Sequence, residues 1–377
     1  MNILYVGFFE LPDKDAAANR VMNNAKALVD SGHNVIFIDE KKIDVSKDVL
    51  ANKSNIYDMD VWSTLRPVSI IGYIKKMISI KDIINVIKQY SKIDLIITYN
   101  YPAIALYKLR KYCVNKNIKL VSDCTEWYSG KEYTFPKSVA CAIDSYLRMN
   151  VIQKNINGVI CISSYLEEFY ENQYTLKIPP LVDIKDFECC QNVSKFSTEK
   201  LNLVYAGNPG KSKESLLPIL EAINKSKNKN SIVFRIVGFS KEQFNELYPN
   251  SGELLNSIKD SVVFFGKLPH VDTLKIIGAS DYMIFIRPHN RVSMAGFSTK
   301  FVEAISCGTS VITTDTGDLK TIIENTDSGL IINNEKELVN YLNEELTDLK
   351  EKAIVKNNGL FDYRRYSQLF GQWLTKI

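Results

Sequence analysis

The sequence predicts an α/β protein built as two doubly wound domains, and three observations carry that expectation. Apolar runs of strand length alternate with helical segments along most of the chain, the pattern of parallel sheets covered by helices. The chain has 377 residues, more than a single core usually organises. Near its middle, Ile178-Pro179-Pro180-Leu181-Val182-Asp183 cannot continue regular structure through two prolines and reads as an interdomain connection. The expected division is residues 1–180 and 181–360.

The first domain opens with Asn2 to Phe9, a buried-type strand in which Gly7 allows close backbone approach. A loop with Pro12 leads into a helix from about Asp15 to Val29, and Asn34 to Asp39 completes a βαβ unit. No Gly-x-Gly-x-x-Gly follows the first strand, which counts against a dinucleotide cofactor. Arg20, in the first helical turns, either reaches an anionic diphosphate or is simply solvated. Over residues 60–92, Trp62, Leu65, Val68, Ile70, Ile71, Ile74 and Ile78 interleave with Arg66, Lys75, Lys76, Lys81 and Lys88. That segment is either an ordinary core helix or a face that lies on an anionic bilayer. Strands Ile93 to Tyr99 and Ile118 to Ser122 follow, the second running into Asp123-Cys124-Thr125-Glu126-Trp127-Tyr128. Two carboxylates beside two aromatics at a strand end suit a sugar, whose hydroxyls bind acids and whose apolar face meets rings. The alternative is that Asp123 or Thr125 caps a helix. Gly158 to Ser164 is the last strand expected in this half.

The second domain begins with strand Leu201 to Gly207, after which Asn208-Pro209-Gly210-Lys211-Ser212-Lys213 opens a helix over about Glu214 to Asn224. A Walker A loop needs its first glycine where Tyr205 stands, so Gly210-Lys211-Ser212 is a fragment of that motif only. Strands Ser231 to Val237, Val262 to Phe265 and Gly329 to Ile332 continue the alternation, and a helix from about Lys336 to Glu351 follows.

The stretch from Arg287 to Asp315 concentrates the chemistry. It reads as a loop, a helix from Thr299 to Cys307 with Ser298 as N-cap and Gly308 as its stop, then a strand. A helix start at the carboxyl end of a parallel strand holds phosphate through free N–H groups and the macrodipole, and Lys300 adds a full charge there. Glu303 lies on the same helix face as Thr299, about 6 Å along the axis at a rise of about 1.5 Å per residue. From there it is placed to accept from two ribose hydroxyls, or it faces water.

These residues resemble the carboxyl-domain signature of the family-4 glycosyltransferases. The family frame, Glu, seven residues, Glu with Phe and Gly at the third and fourth positions, falls on Ala295, Phe297, Ser298 and Glu303. Ala295 and Ser298 replace the first Glu and the Gly. Gly266-Lys267-Leu268 resembles the loop whose backbone meets the nucleobase. Asn208 stands where the family has Arg after the glycine, here Gly207, and Lys213 matches its lysine, with Lys211 able to supply the missing cation. The resemblance implies the GT-B fold, two Rossmann-like domains facing a cleft, with residues 361–377 packing back on the first domain. It implies transfer of a hexosyl group from a nucleoside-diphosphate sugar to a saccharide or lipid-linked acceptor of surface-polysaccharide type, with retention. Lys211, Lys213 and Lys300 would meet the leaving diphosphate, while Asp123 or Glu126 becomes the base if the reaction inverts. Gly7, Arg20, Gly207, Asn208, Gly266, Lys267, Leu268, Arg287, Phe297, Ser298, Thr299 and Glu303 complete the expected nucleotide-sugar site. A sugar-nucleotide epimerase of the same fold and a non-catalytic sugar-nucleotide binder stay open.

Composition bounds the remaining classes. Apolar residues at 45% and charged residues at 24% describe a globular chain, and a net charge of +4 favours anionic partners without demanding nucleic acid. Seven cysteines without metal-type spacing read as reduced thiols. No carboxylate cluster suggests a metal, so no cofactor is expected beyond the donor itself. Without a secretion signal or a membrane span, the expected location is cytoplasmic, with peripheral attachment at the inner membrane face if the basic apolar segment binds lipid.

Overall fold

Runs such as Leu95–Tyr99 and Leu201–Ala206 are apolar at nearly every position because the sheets they enter are covered on both faces. In this computed structural model all residues are described except 44, 129, 131–133, 192, 198, 209–213, 354 and 356–358. The chain divides into two units, Met1–Val182 with Asp362–Ile377, and Asp183–Phe361.

The first unit holds β1 (Asn2–Gly7), β2 (Asn34–Lys41), β3 (Lys53–Ile56), β4 (Met59–Leu65), β5 (Leu95–Tyr99), β6 (Lys119–Cys124), β7 (Gly158–Cys161) and β8 (Thr175–Lys177). Their order is β3-β4-β2-β1-β5-β6-β7-β8, and every pairing is parallel except β3 with β4. On one face Val21, Ala25 and Leu28 of the Ala16–Asp30 helix share a core with Phe370, Trp373 and Leu374 of the tail helix Ser367–Leu374. On the other face Leu106 and Leu109 of the Ala103–Lys116 helix pack with Ile83 and Val86. Asp15 caps the first helix by accepting from the Ala18 amide at 2.8 Å.

The second unit holds β9 (Leu201–Ala206), β10 (Ile232–Val237), β11 (Val262–Gly266), β12 (Tyr282–Phe285), β13 (Ser310–Thr314) and β14 (Gly329–Ile332). Their order, β11-β10-β9-β12-β13-β14, is all parallel and reverses between β9 and β12. The equivalent reversal in the first sheet lies between β1 and β5. At such reversals the connections leave in opposite directions and open a crevice beyond the carboxyl strand ends.

The segment 60–92 is not one helix. Tyr57 and Asp58 both adopt positive φ, 50° and 62°, and form a two-residue turn that sends the chain back as β4, with Ile56 opposite Met59. Trp62 and Leu65 therefore belong to a strand. Two short helices follow, Ile70–Ile78 and Lys81–Ile87. The first buries no residue, so a core-helix reading of it is corrected: Val68 is 99% exposed and Ile70 79%. The helix expected over Lys336–Glu351 is broken into Glu335–Leu342 and Leu346–Glu351.

Candidate functional site

Three glycines end adjacent strands of the second sheet. Gly207, Gly238 and Gly266 all have positive φ, and the Gly207 amide donates to the Val237 carbonyl at 2.9 Å while Gly238 donates to Gly266 at 2.8 Å. A Cβ on Gly238 would collide with the Gly207 carbonyl, and one on Gly207 would fall 2.7 Å from Cε of Lys300. The strand ends can approach one another and receive Lys300 only because no side chain intervenes. Lys300 is held there by Glu214, whose carboxylate lies 3.1 Å from Nζ and also accepts from the Tyr205 hydroxyl at 2.7 Å. Its ammonium lies 5.3 Å from the Tyr205 ring centre.

Lys300 belongs to the first turn of the Thr299–Ser306 helix, whose initial amides have no partner within the helix. Ser298 precedes it in extended conformation but makes no side-chain cap, which corrects its reading as a capping hydroxyl. The omission leaves first-turn amides open. One turn further on, burial raises the Glu303 carboxyl above the ordinary carboxylate range, against the opposing pull of His270 and Lys300. The helix turns its other face inward: Phe297, Phe301 and Phe361 meet edge to face with centroids 5.9 to 6.2 Å apart. Phe297 thus anchors the helix start by packing. Ala295 is fully buried at the end of a short helix, Arg291–Ala295, absent from the sequence reading. Arg287 is fixed through its backbone, its amide and carbonyl both bonded to the Thr314 hydroxyl at 3.0 and 2.8 Å. Thr299, Asn208 and Lys267 are exposed, and Leu268 is half-buried. Lys211 and Lys213 lie outside the described residues.

In the first unit the expected site residues separate. Gly7 ends β1 where a Cβ would meet Phe9 and Tyr99 within 2.9 Å, so packing alone accounts for it. Arg20 and Asp123 are 3% and 0% exposed and pair with each other, Nη2 to Oδ1 at 2.7 Å. Arg20 also donates from Nη1 to the carbonyls of Ile178 and Pro179, tying the interdomain segment to this unit. Asp123 further accepts from the Tyr5 hydroxyl at 2.5 Å and from Asn24. Burial, then the Asp123 charge, push the Tyr5 phenol well above its ordinary range, so it remains a donor. Arg20 as a diphosphate ligand and Asp123 as a base are both corrected: each is spent inside the domain and desolvated. Glu126 is half-buried, and its charge, after burial, raises the Tyr128 phenol.

Tyr205, Glu214 and Gly238 escaped the sequence reading. Tyr205 sits in an apolar strand and signals core, and the nine-residue step to Glu214 has no recognisable period. Among the described residues no group of acids, cysteines and histidines is arranged to hold a metal ion.

Residues 191–360 match the family described as Glycosyl transferases group 1. No curated protein sequence matches the chain. Among solved structures, sucrose-phosphate synthase from Thermosynechococcus elongatus aligns over 100% of this chain and 98% of its own, at 15% identity and a TM-score of 0.68. HepE from Anabaena in complex with UDP-glucose covers 100% of both chains at 16% identity and a TM-score of 0.64. A trehalose-6-phosphate structure from E. coli bound with UDP-2-fluoro glucose aligns over 100% and 99%, at 10% identity and a TM-score of 0.72. The fold is GT-B, and residues 191–360, within the second unit, are similar to the group 1 glycosyl transferases.

The buried Arg20–Asp123 pair makes one expectation specific. Asp123→Asn leaves a desolvated guanidinium without its counter-charge, so stability measured by urea unfolding should fall by about 3–5 kcal/mol. Nucleoside diphosphate affinity of the folded variant, measured by calorimetry, should match the parent. A variant as stable as the parent would contradict the structural role.

Proposed function

We propose that this protein is a glycosyltransferase that moves a hexosyl group from a nucleoside-diphosphate sugar to a saccharide or lipid-linked saccharide acceptor, with retention. One observation carries the reading: in a group 1 domain, Lys300 and open helix amides stand over the glycine end of β9, with Glu303 one turn below. A diphosphate fits the cation and amides, and a ribose diol fits the carboxylate. That structural neighbours were crystallised with UDP-glucose and UDP-2-fluoro glucose supports a nucleotide sugar as donor.

In this reaction the bond from the anomeric carbon to the diphosphate breaks and a bond to an acceptor oxygen forms. Negative charge grows on the leaving oxygens, where Lys300 and the helix start are already oriented. The departing phosphate takes the acceptor proton, so no protein base is required. The closed Asp123 pair supports retention, since it withdraws one of the two bases an inverting route would use; Glu126 remains.

The acceptor is proposed to be lipid-linked because the Ile70–Ile78 helix presents Ile70, Ile71 and Ile74 to solvent beside Lys75. Among the described residues no helix is long and apolar enough to cross a membrane, so contact would be interfacial. Binding of full-length protein to phosphatidylglycerol-containing vesicles should be seen by flotation at low salt and fade at high salt, each lysine near the surface contributing about 1 kcal/mol. Recovery in the soluble fraction at every salt concentration would sink the lipid-linked acceptor.

Ionised Glu303 is the form that accepts from ribose, whereas burial favours its protonated form. Nucleoside diphosphate affinity should therefore rise with pH through the raised Glu303 pKa and level off above it, with proton release below. Calorimetry in buffers of different ionisation enthalpy reads that release. Glu303→Gln should abolish the pH dependence and weaken binding by about 1.5–3 kcal/mol. Unchanged affinity and unchanged proton release would remove Glu303 from the ribose role.

Lys300→Ala should lower kcat for sugar transfer more than it raises the donor KM, because the charge it meets grows as the glycosidic bond breaks. A variant with full kcat and a higher KM would assign Lys300 to uniform binding instead.

A further inference from the structure

The first domain contains a second arginine whose burial has no internal explanation. Arg148 lies on a stretch of π-helix, Leu147–Ile152, that continues the Lys137–Tyr146 helix, and it is 2% exposed. Its Nη1 donates to the Asn100 carbonyl at 3.3 Å, and the guanidinium carbon lies 5.2 Å from the Tyr128 ring centre. Nε and Nη2 have no hydrogen-bond partner, and among the described residues no carboxylate pairs with the side chain. The thiol and the phenols around it are neutral. Burial holds the Cys124 thiol and the Tyr170 and Tyr128 phenols above their ordinary pKa values, so each keeps its proton. Glu126, whose charge also raises the Tyr128 phenol, forms no ion pair with Arg148.

The contrast with Arg20 is informative, because the same domain shows how it pairs a buried guanidinium when the purpose is structural. An isolated buried cation is strongly penalised. Arg148 instead leaves free the Nε–Nη2 edge, the edge that meets an oxyanion with two parallel hydrogen bonds. Gln153, five residues on and on the same face by the i→i+5 repeat of a π-helix, is also fully buried with Nε2 unpartnered. Its Oε1 accepts from the Tyr170 hydroxyl at 2.5 Å, which orients the amide nitrogen away. The position is chemically meaningful. Asn100 follows β5 in the left-handed region, φ 41°, at the β1–β5 reversal where α/β sheets bind ligands, and its side chain clamps Thr125 at 2.7 Å.

We propose that Arg148, with Gln153 beside it, forms an oxyanion subsite that takes the carboxylate or phosphate of an acidic acceptor. Assignment of the anion to the acceptor rests on the transferase reading; the existence of the anion site does not.

The test uses the full chain and thermal unfolding at constant ionic strength, with glucuronate and glucose 6-phosphate as probes and glucose as the neutral control. A rise in Tm with either anion, absent with glucose and lost in Arg148→Gln while the nucleoside diphosphate shift is retained, supports the subsite. Response to glucuronate alone identifies a carboxylate, and response to glucose 6-phosphate alone a phosphate. Should Arg148→Gln fail to fold, Arg148→Lys keeps the charge without the fork and should weaken anion affinity at least tenfold. No anion-specific rise in the parent, or a rise that survives in both variants, overturns the proposal. Failure of the parent to bind any nucleoside diphosphate would instead overturn the transferase reading and leave the anion result to stand separately.

Discussion

The close approach of backbone at the ends of β9, β10 and β11 is the constraint on which the second domain's site depends. Parallel strands deliver their carboxyl ends to one edge, but ordinary residues there would fill the space with Cβ atoms. Gly207 and Gly238 remove that bulk: the room at Gly238 is taken by the Gly207 backbone, and the room at Gly207 by the Lys300 side chain. Glu214 and Tyr205 then hold the lysine at a defined height over the sheet. The helix that carries Lys300 is held from behind by the Phe297–Phe301–Phe361 cluster. Backbone permissiveness, one ion pair and one aromatic cluster therefore position a single cation. A flexible lysine at a surface helix start would lack that preorganisation.

The first domain treats its buried charges in two ways. Arg20 is saturated: Asp123, Ile178 and Pro179 use its donors, and the pair joins the first helix, β6 and the interdomain segment. Such a network is costly to break and contributes specificity of packing more than net stability. Arg148 is open on one edge, and among the described residues no carboxylate pairs with it. Placing the two side by side separates a structural arginine from one that awaits a ligand.

The Ile70–Ile78 helix shows how apolar pattern and burial can part. Its isoleucines have the spacing of a core-facing helix, yet none is buried. That edge was hidden in the sequence by a turn, Tyr57-Asp58, that lacks the glycine by which two-residue hairpins are usually recognised.

The sequence by itself determined the alternation of strands and helices, the break near Pro179-Pro180, the helix beginning at Thr299 and the glycine-ended strand before Asn208. These features are local: hydrophobic period, proline geometry and glycine permissiveness act within a few residues of where they are written. Only the tertiary structure decided which charges face a ligand. Asp123 looked like a base and Arg20 like a phosphate ligand until packing brought residues 103 positions apart into one buried pair. Glu214 and Lys300 met, and Arg148 paired with no acid among the described residues, for the same reason. Electrostatic partnership is set by distances through space, and the fold determines those distances between residues far apart in the chain.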